Sequence, residues 1–428
     1  MDVLELTQRL IEFESTSYNE LPLARFIVEW LTERNLPCHL DIFNATDLLQ
    51  DGKARPDTAN VYVDLGQGEQ TLMLYAHMDV VSASPSLFSP RIEGGRLIGR
   101  GATDMKSSLA ALMLAAVEQR AVIEESGKRV LFAFVADEET SGTGARRHVE
   151  WLSTQGLRGD NLWCMLAEPT DQFRYVDVGG KGYIFLDLEG PLSALIPTLQ
   201  TILKDRDPIL ARYPIEDEQF GQAFISVTAI TCNPKMITGQ AWKETGVAAH
   251  ASRPQAGENA LEKMLRRLSH PVANIQTGGN SPNTIPDLCV AYPAENYPAA
   301  HCRATIDVRT NLSSERNDAL WNDLQAILTR QPKIAFRIRD RGKAYLSTSA
   351  EFSLISLCQQ SITPVPEPRI AQGGSDAGYY ALLTPHIVGG FGPGEDSQLH
   401  TDTESIEIAT LRTAPGVFSN LVRTFIGL

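Results

Sequence analysis

The stretches TLMLYAHMDVV (71–81) and RVLFAFVADEE (129–139) decide the fold. Each is an unbroken apolar run of strand length that stops on imidazole or carboxylate side chains. Successive strand side chains point to opposite faces, so a run without polar interruption is covered on both, as in a parallel sheet packed between helices. NLWCMLAEP (161–169) repeats the pattern. Helical segments, LAALMLAAVEQ (109–119) and GARRHVEWLS (144–153), separate these runs. Upstream, Leu23, Phe26, Ile27, Trp30 and Leu31 recur at helical spacing, and NVYVDLG (60–66) reads as a further strand. The alternation predicts an α/β fold: a mostly parallel sheet with helices on both faces.

From about Tyr183 the texture changes. YIFLDLEG (183–190), AFISVTAI (223–230), MITGQAWK (236–243) and CRATIDVRT (302–310) read as strands, with helices at SALIPTLQTIL (193–203) and NALEKMLRRL (259–268). Several strands with two helices suit a smaller α/β sandwich. After Arg309, the helix ERNDALWNDLQAIL (315–328) and the strand KIAFRIRD (333–340) lead back toward the first domain, and IVGGFG (387–392) adds a strand there. The expected organisation is a discontinuous catalytic domain over 1–182 and 311–428, with 183–310 inserted as the smaller domain. A chain of 428 residues is long enough for two cores.

Composition narrows the class. Hydrophobic residues at 43% and charged residues at 21% are ordinary for a soluble globular protein, and no apolar run approaches a membrane span. A formal net charge of -14 argues against a nucleic-acid partner, which calls for a basic footprint. MDVLELTQRLIEF (1–13) carries acids and no basic leader, so it reads as an amphipathic helix rather than a signal peptide, and the expected location is cytoplasmic. Cys38, Cys164, Cys232, Cys289, Cys302 and Cys358 form no CxxC pair and read as reduced, mostly buried thiols.

Open α/β sheets bind ligands beyond the carboxyl ends of their strands. The first run ends on His77 and Asp79, the second on Asp137, Glu138 and Glu139, the third on Glu168, and GFGPGEDSQLH (390–400) ends on His400. GRGATDMKSSLAAL (99–112) adds Asp104 just before a helix. Singly, each group suits a cap, a turn or a helix start, where acids favour the dipole. Five segments converging on one edge suit metal ions instead, because zinc takes histidine nitrogen and carboxylate oxygen. Two imidazoles and three carboxylates suffice for two ions if one carboxylate bridges, and ions about 3.5–4 Å apart can hold a hydroxide and polarise a carbonyl. Asp104, on the loop between strand ends, is the candidate bridge. Asp79 lies two residues past His77, on the same face of an extended segment, so it can accept the other imidazole N–H and orient the ring. Glu138 and Glu139 point in different directions, so one can bind metal while the other takes a proton from water; spacing does not choose between them. His39, His148, His270, His301 and His386 have no such context and read as structural.

As a set, AHMDVV (76–81), GRGATDMKSSLAAL, ADEETSGTGA (136–145), LAEPT (166–170), AAHASRPQAGENAL (248–261), NTIPD (283–287), DVRT (307–310), GGSDAGYY (373–380) and GPGEDSQLHTDTE (392–404) resemble a known family. It is the metallopeptidase family of acetylornithine deacetylase, succinyl-diaminopimelate desuccinylase, aminoacylase and carboxypeptidase G. The resemblance implies a zinc-exopeptidase-like catalytic domain. It implies that His77 and Glu168 hold one zinc, that Glu139 and His400 hold the other, and that Asp104 bridges them and is joined to Met105 by a cis peptide. It implies Glu138 as the general base. It implies that His250 reaches the partner subunit's site and helps hold the oxyanion. Asn283 and Arg309 are implied to bind the substrate's carboxylate end, and Gly373, Gly374 and Ser375 to form a substrate-side loop. Two Zn2+ are the implied cofactors, with Co2+ or Mn2+ able to substitute. The inserted domain is implied to form a homodimer.

The implied reaction is hydrolysis of an N-acyl amino acid by metal-bound hydroxide, as in acetylornithine deacetylases and succinyl-diaminopimelate desuccinylases. Glu rather than Asp at position 168 resembles the deacylase and carboxypeptidase branch. Gln398 before His400 resembles acetylornithine deacetylases, while GGSDAGYY leans toward desuccinylases and is one residue short of their pattern. A carboxypeptidase or dipeptidase of the same fold is the alternative. A remoter one is a serine hydrolase using Ser375, because GGSDA approximates a nucleophile elbow; the proline-rich TPVPEPRIAQ (363–372) before it is a poor central strand. A binding module that kept the fold and lost the chemistry would lack a ligand or Glu138, and none is missing. The order of elements in the inserted region departs from the family, since the helix at 193–203 and the strand at 223–230 precede His250.

Overall fold

In the computed structural model, Thr71–His77 forms the strand that its apolar run predicts, with every residue buried. It belongs to a six-stranded sheet ordered His39–Asn44, Asp57–Gly66, Arg129–Val135, Thr71–His77, Leu162–Leu166, Ile387–Val388. The last four strands run parallel, and Asp57–Gly66 is antiparallel to both of its neighbours. The sheet is therefore mostly parallel. Helix Lys106–Glu125 packs on three of the strands and against Ile408–Ile426, while Leu21–Thr32 and Thr143–Thr154 pack on Asp57–Gly66. Because Arg129–Val135, Thr71–His77 and Leu162–Leu166 share one direction, their carboxyl ends share one edge, and that edge receives the polar groups that follow each run.

The structure describes all residues except 50–53, 214–222, 233–241, 248–257, 269–271, 279–287, 294–300, 311–313, 343, 348–352 and 372–373. His250, Asn283 and Gly373 lie outside the described residues. The chain divides into two compact units. One comprises Met1–Gly180, Tyr345–Ala371 and Ser375–Leu428; the other comprises Lys181–Ala344 and Gln372–Gly374.

The second unit contains a four-stranded antiparallel sheet ordered Phe224–Cys232, His301–Thr310, Gly182–Pro191, Ala335–Gly342. A three-stranded sheet, Trp242–Thr245, Leu288–Pro293, Val272–Gly278, accompanies it. Leu186, Leu199, Ile225, Ile306 and Leu324 belong to one apolar core shared by strands and helices. The boundary differs from the expected 310. Ala335–Gly342 pairs with Gly182–Pro191, and helix Ser314–Leu328 contributes Leu320 and Leu328 to the same core. Both elements therefore fold with the second unit instead of returning to the first.

Cys38, Cys164, Cys289 and Cys358 are free thiols. Cys302, opposite Cys232 in the strand register, is disulfide-bonded, which departs from the expectation of thiols throughout. No helix among the described residues is long and apolar enough to cross a membrane.

Candidate metal centre

His77 is the last residue of its strand and is 1% exposed. Its Nδ1 lies 3.0 Å from the main-chain oxygen of Asp79. A carbonyl oxygen only accepts, so Nδ1 carries the proton and Nε2 faces inward. That Nε2 lies 3.0 Å from Asp104 Oδ1 and 3.9 Å from Glu168 Oε2. From the opposite side, His400 Nε2 lies 2.9 Å from Glu139 Oε2 and 3.4 Å from Asp104 Oδ2. Asp104 thus presents one oxygen to each imidazole. The peptide between Asp104 and Met105 is cis.

Among the described residues, His77, Asp104 and Glu139 offer ligand atoms that all lie within 4.8 Å of one another. Glu168 faces the same cluster with Oε1 lacking any hydrogen-bond partner. A buried carboxylate oxygen without a donor is costly, and a cation beside it removes that cost. Two inward imidazole nitrogens and three carboxylates form a donor set that fits a pair of ions sharing the Asp104 carboxylate.

The electrostatics of the protein alone point the same way. Burial would lower the pKa of His77, but the carboxylates of Asp104 and Asp79 and the charge of Glu168 hold it well above its ordinary value. Burial likewise opposes protonation of His400, yet Glu139 and Asp104 raise it to about 11. Asp104 is held below the ordinary carboxylate range: burial opposes this, and the two imidazoles override it. Burial, against the opposing charge of His77 and with Asp104, Asp376 and Glu139 adding to it, pushes Glu168 well up. Without metal, protons on the imidazoles thus supply the positive charge that the carboxylates require. A metal held by these imidazoles would have to displace them, so uptake by chelator-treated protein near pH 7 is expected to release roughly two protons or more. Calorimetric titration in buffers of different ionisation enthalpy measures this, and uptake without proton release would contradict the assignment.

Asp79 does more than its spacing predicts. Its carboxylate stands 3.6 Å from His77 Nδ1. Its hydrogen bonds come instead from the N–H groups of Glu138 and Glu139, both at 3.0 Å, and from Ser17 Oγ at 2.7 Å. It therefore holds the turn that separates the two glutamates. Glu138 keeps partial access to solvent, while burial, then the charges of Glu168 and Asp376, hold its carboxyl well above the ordinary value.

In the second unit, Arg309 is 3% exposed. Its Nε and Nη2 donate to Asp307 at 2.8 and 3.0 Å, and its guanidinium stacks near Tyr183 and Phe185. Its Nη1 is the edge turned toward Gly374, where an added Cβ would come within 3.0 Å. In the first unit, Ser375 Oγ accepts a 3.4 Å bond from Ala377 N–H. No imidazole among the described residues hydrogen-bonds to Ser375, which leaves a nucleophile elbow without its base.

Sequence reading does not single out Ser17, Asp376 or Glu404. Asp376 is buried and accepts from Tyr75 Oη at 2.6 Å. Glu404 is buried beneath the Asp104 loop. Asp376 and Glu404 do lie inside the motifs GGSDAGYY and GPGEDSQLHTDTE, but a buried carboxylate and a solvated one look alike in sequence.

A model of peptidase family M20/M25/M40 matches residues 73–424. A succinyl-diaminopimelate desuccinylase of Zymomonas mobilis is 31% identical over 257 residues, a match covering 55% of this chain and 63% of that protein. A protein of the same name from Rhizorhabdus wittichii is 24% identical over 431 residues, covering 99% of this chain and 98% of the relative. Among solved structures, an M20 family metallo-carboxypeptidase from Sulfolobus solfataricus aligns with a TM-score of 0.63 at 15% identity, covering 100% of both chains. A dinuclear metal-binding M20 peptidase from Bacillus subtilis aligns at 0.55 and 14% identity, over 99% of this chain and 97% of that one. At these identities the solved structures speak to fold alone. The family model spans most of the sequence, including every strand end that carries a candidate ligand, and the chain belongs to peptidase family M20/M25/M40 as a metal-dependent hydrolase.

Proposed function

We propose that this chain hydrolyses the amide bond of an N-acyl amino acid, releasing a carboxylic acid and a free amine. The observation that carries the reading is the Asp104 carboxylate, with one oxygen 3.0 Å from His77 and the other 3.4 Å from His400, and Glu138 near enough to His77 and Glu168 to feel their charges. The names of relatives matched over nearly the whole chain make N-succinyl-diaminopimelate the leading substrate candidate.

His77 and Glu168 are the proposed ligands of one ion, Glu139 and His400 those of the other, with Asp104 shared. The ligand types favour zinc. When bound, such a pair supplies Lewis acidity toward the amide carbonyl and an acidified water. Glu138 takes the water's proton and delivers it to the departing nitrogen, a round trip that suits a carboxyl whose pKa is raised. Asp79 fixes the Glu138–Glu139 turn. Arg309, its fork already held by Asp307, reads the substrate's carboxylate through Nη1. Asn283, His250, Gly374 and Ser375 complete the proposed substrate contacts, and the inserted unit is the proposed homodimer interface, which light scattering tests.

A substrate panel tests the function: N-succinyl-diaminopimelate, N-acetylornithine, N-acetylcitrulline and simple dipeptides, each with and without chelator. Metal-dependent cleavage of an N-acyl amino acid is expected. Preference for dipeptides would move the assignment to a peptidase. Activity that ignores chelator would favour Ser375, and no cleavage of any member would sink the deacylase reading.

A further inference from the structure

We propose that Glu404 is a positioning residue, which aims Asp104 between the two imidazoles by filling the backbone turn that carries it. This rests on reading Asp104, His77, Glu139 and His400 as metal ligands. Glu404 is fully buried. Its Oε1 accepts from the N–H groups of Gly101, Thr103 and Asp104, at 3.0, 2.9 and 3.0 Å. Its Oε2 accepts from Arg100 Nη1 at 2.6 Å. Three amides of one turn converging on one oxygen form a concave anion site, occupied here by a side chain from about 300 residues away in sequence. With its own N–H in that site, Asp104 has its backbone orientation set, and with it the direction in which its carboxylate leaves the chain.

Main-chain contacts already hold the two segments together. Ser405–Glu407 pairs with Arg96–Ile98, and Gly99 N–H donates to Glu404 O at 3.0 Å. Thr103 Oγ1 adds a bond to Ser405 O at 2.9 Å. None of these bonds needs the Glu404 side chain. What the carboxylate adds is alignment of the 101–104 amides. It also lies four residues after His400, so one short stretch of chain carries the second imidazole and sets the carboxylate facing it.

Two variants separate positioning from simple ion pairing with Arg100. Glu404→Gln keeps an oxygen of the right reach for the three amides and loses the charge. Glu404→Asp keeps the charge and is too short to reach them. Zn2+ titration of chelator-treated protein gives stepwise affinities, the visible spectrum of the Co2+-loaded protein reports ligand geometry, and thermal unfolding of the metal-free forms checks the fold. We expect Glu404→Asp to weaken Zn2+ binding by about 10–100-fold and to alter the Co2+ spectrum, with Glu404→Gln restoring both toward wild type. Wild-type affinity and spectrum in Glu404→Asp, or a greater loss in Glu404→Gln, would overturn the proposal. A wild-type protein that takes up no Zn2+ would instead overturn the underlying ligand assignment.

Discussion

Glu138→Gln is expected to lower kcat by about 10²–10⁴-fold, the range for removing a general acid–base, while leaving metal content unchanged. Glu138 feels the charge of His77, while the next residue, Glu139, makes the contact to His400. The two are parted by the turn in which Asp79 accepts both of their N–H groups, and glutamine keeps that backbone bond. The carboxyl of Glu138 is pushed well up, first by burial and then by Glu168 and Asp376. A neutral amide of the same shape therefore fits without stranding a charge. Removing an acid that Glu168, Asp376 and Glu139 all act against relieves repulsion, so the metal-free variant should melt no lower than wild type. KM should change little, because a general base acts on the proton and not on substrate affinity. Steady-state kinetics with metal analysis of the same samples decides the matter. A variant keeping more than roughly a tenth of wild-type kcat would remove Glu138 as base.

The strand ends were legible because burial and direction leave a local signature. Thr71–His77 and Arg129–Val135 are apolar throughout and then abruptly charged, so their shared direction brings His77, Glu138 and Glu139 to one edge. The antiparallel placement of Asp57–Gly66 has no such signature, since composition does not encode strand direction. Nor does the pairing of Ala335–Gly342 with Gly182–Pro191, which moves the unit boundary from 310 to 344. Main-chain hydrogen bonds join any residues. The same limit hides the support around the centre. Asp79 was expected to serve the imidazole through its carboxylate, but the main-chain oxygen is the atom within bonding distance and the carboxylate binds two amides. Glu404 likewise binds amides far away in sequence. Only the family resemblance implies Glu138 rather than Glu139 as the base, because adjacent glutamates are equivalent until the chain has folded.

Asp104→Asn is expected to disrupt both halves of the proposed metal site and to change how metal-free stability depends on pH. Each Asp104 oxygen faces a different imidazole, so losing the charge should weaken both metal equivalents, beyond the roughly 10–100-fold cost of losing a residue that only supports a ligand. His400→Ala should weaken chiefly one. The pH argument concerns the protein without metal. His77 and His400 are raised above 6.5, the latter to about 11. Their contribution to stability is complete below 6.5 and is lost as pH rises through the folded values. Asp104 is lowered from 3.8, so its contribution is present above 3.8 and is lost as pH falls through its depressed value. All three are engaged between 3.8 and 6.5. Glu138 and Glu168 are raised and so add to the loss at higher pH. Metal-free wild type should therefore weaken from mildly acidic toward alkaline pH, whereas metal binding, which competes with protons, should strengthen. In Asp104→Asn the imidazoles lose their shared anion, and the deficit against wild type should be large near about pH 5 and narrower near about pH 9. Equilibrium dialysis measures the metal, and thermal unfolding of chelator-treated protein measures the gap. Two equivalents bound at wild-type affinity, or a gap that fails to narrow, would show that Asp104 is not the shared carboxylate on which the site depends.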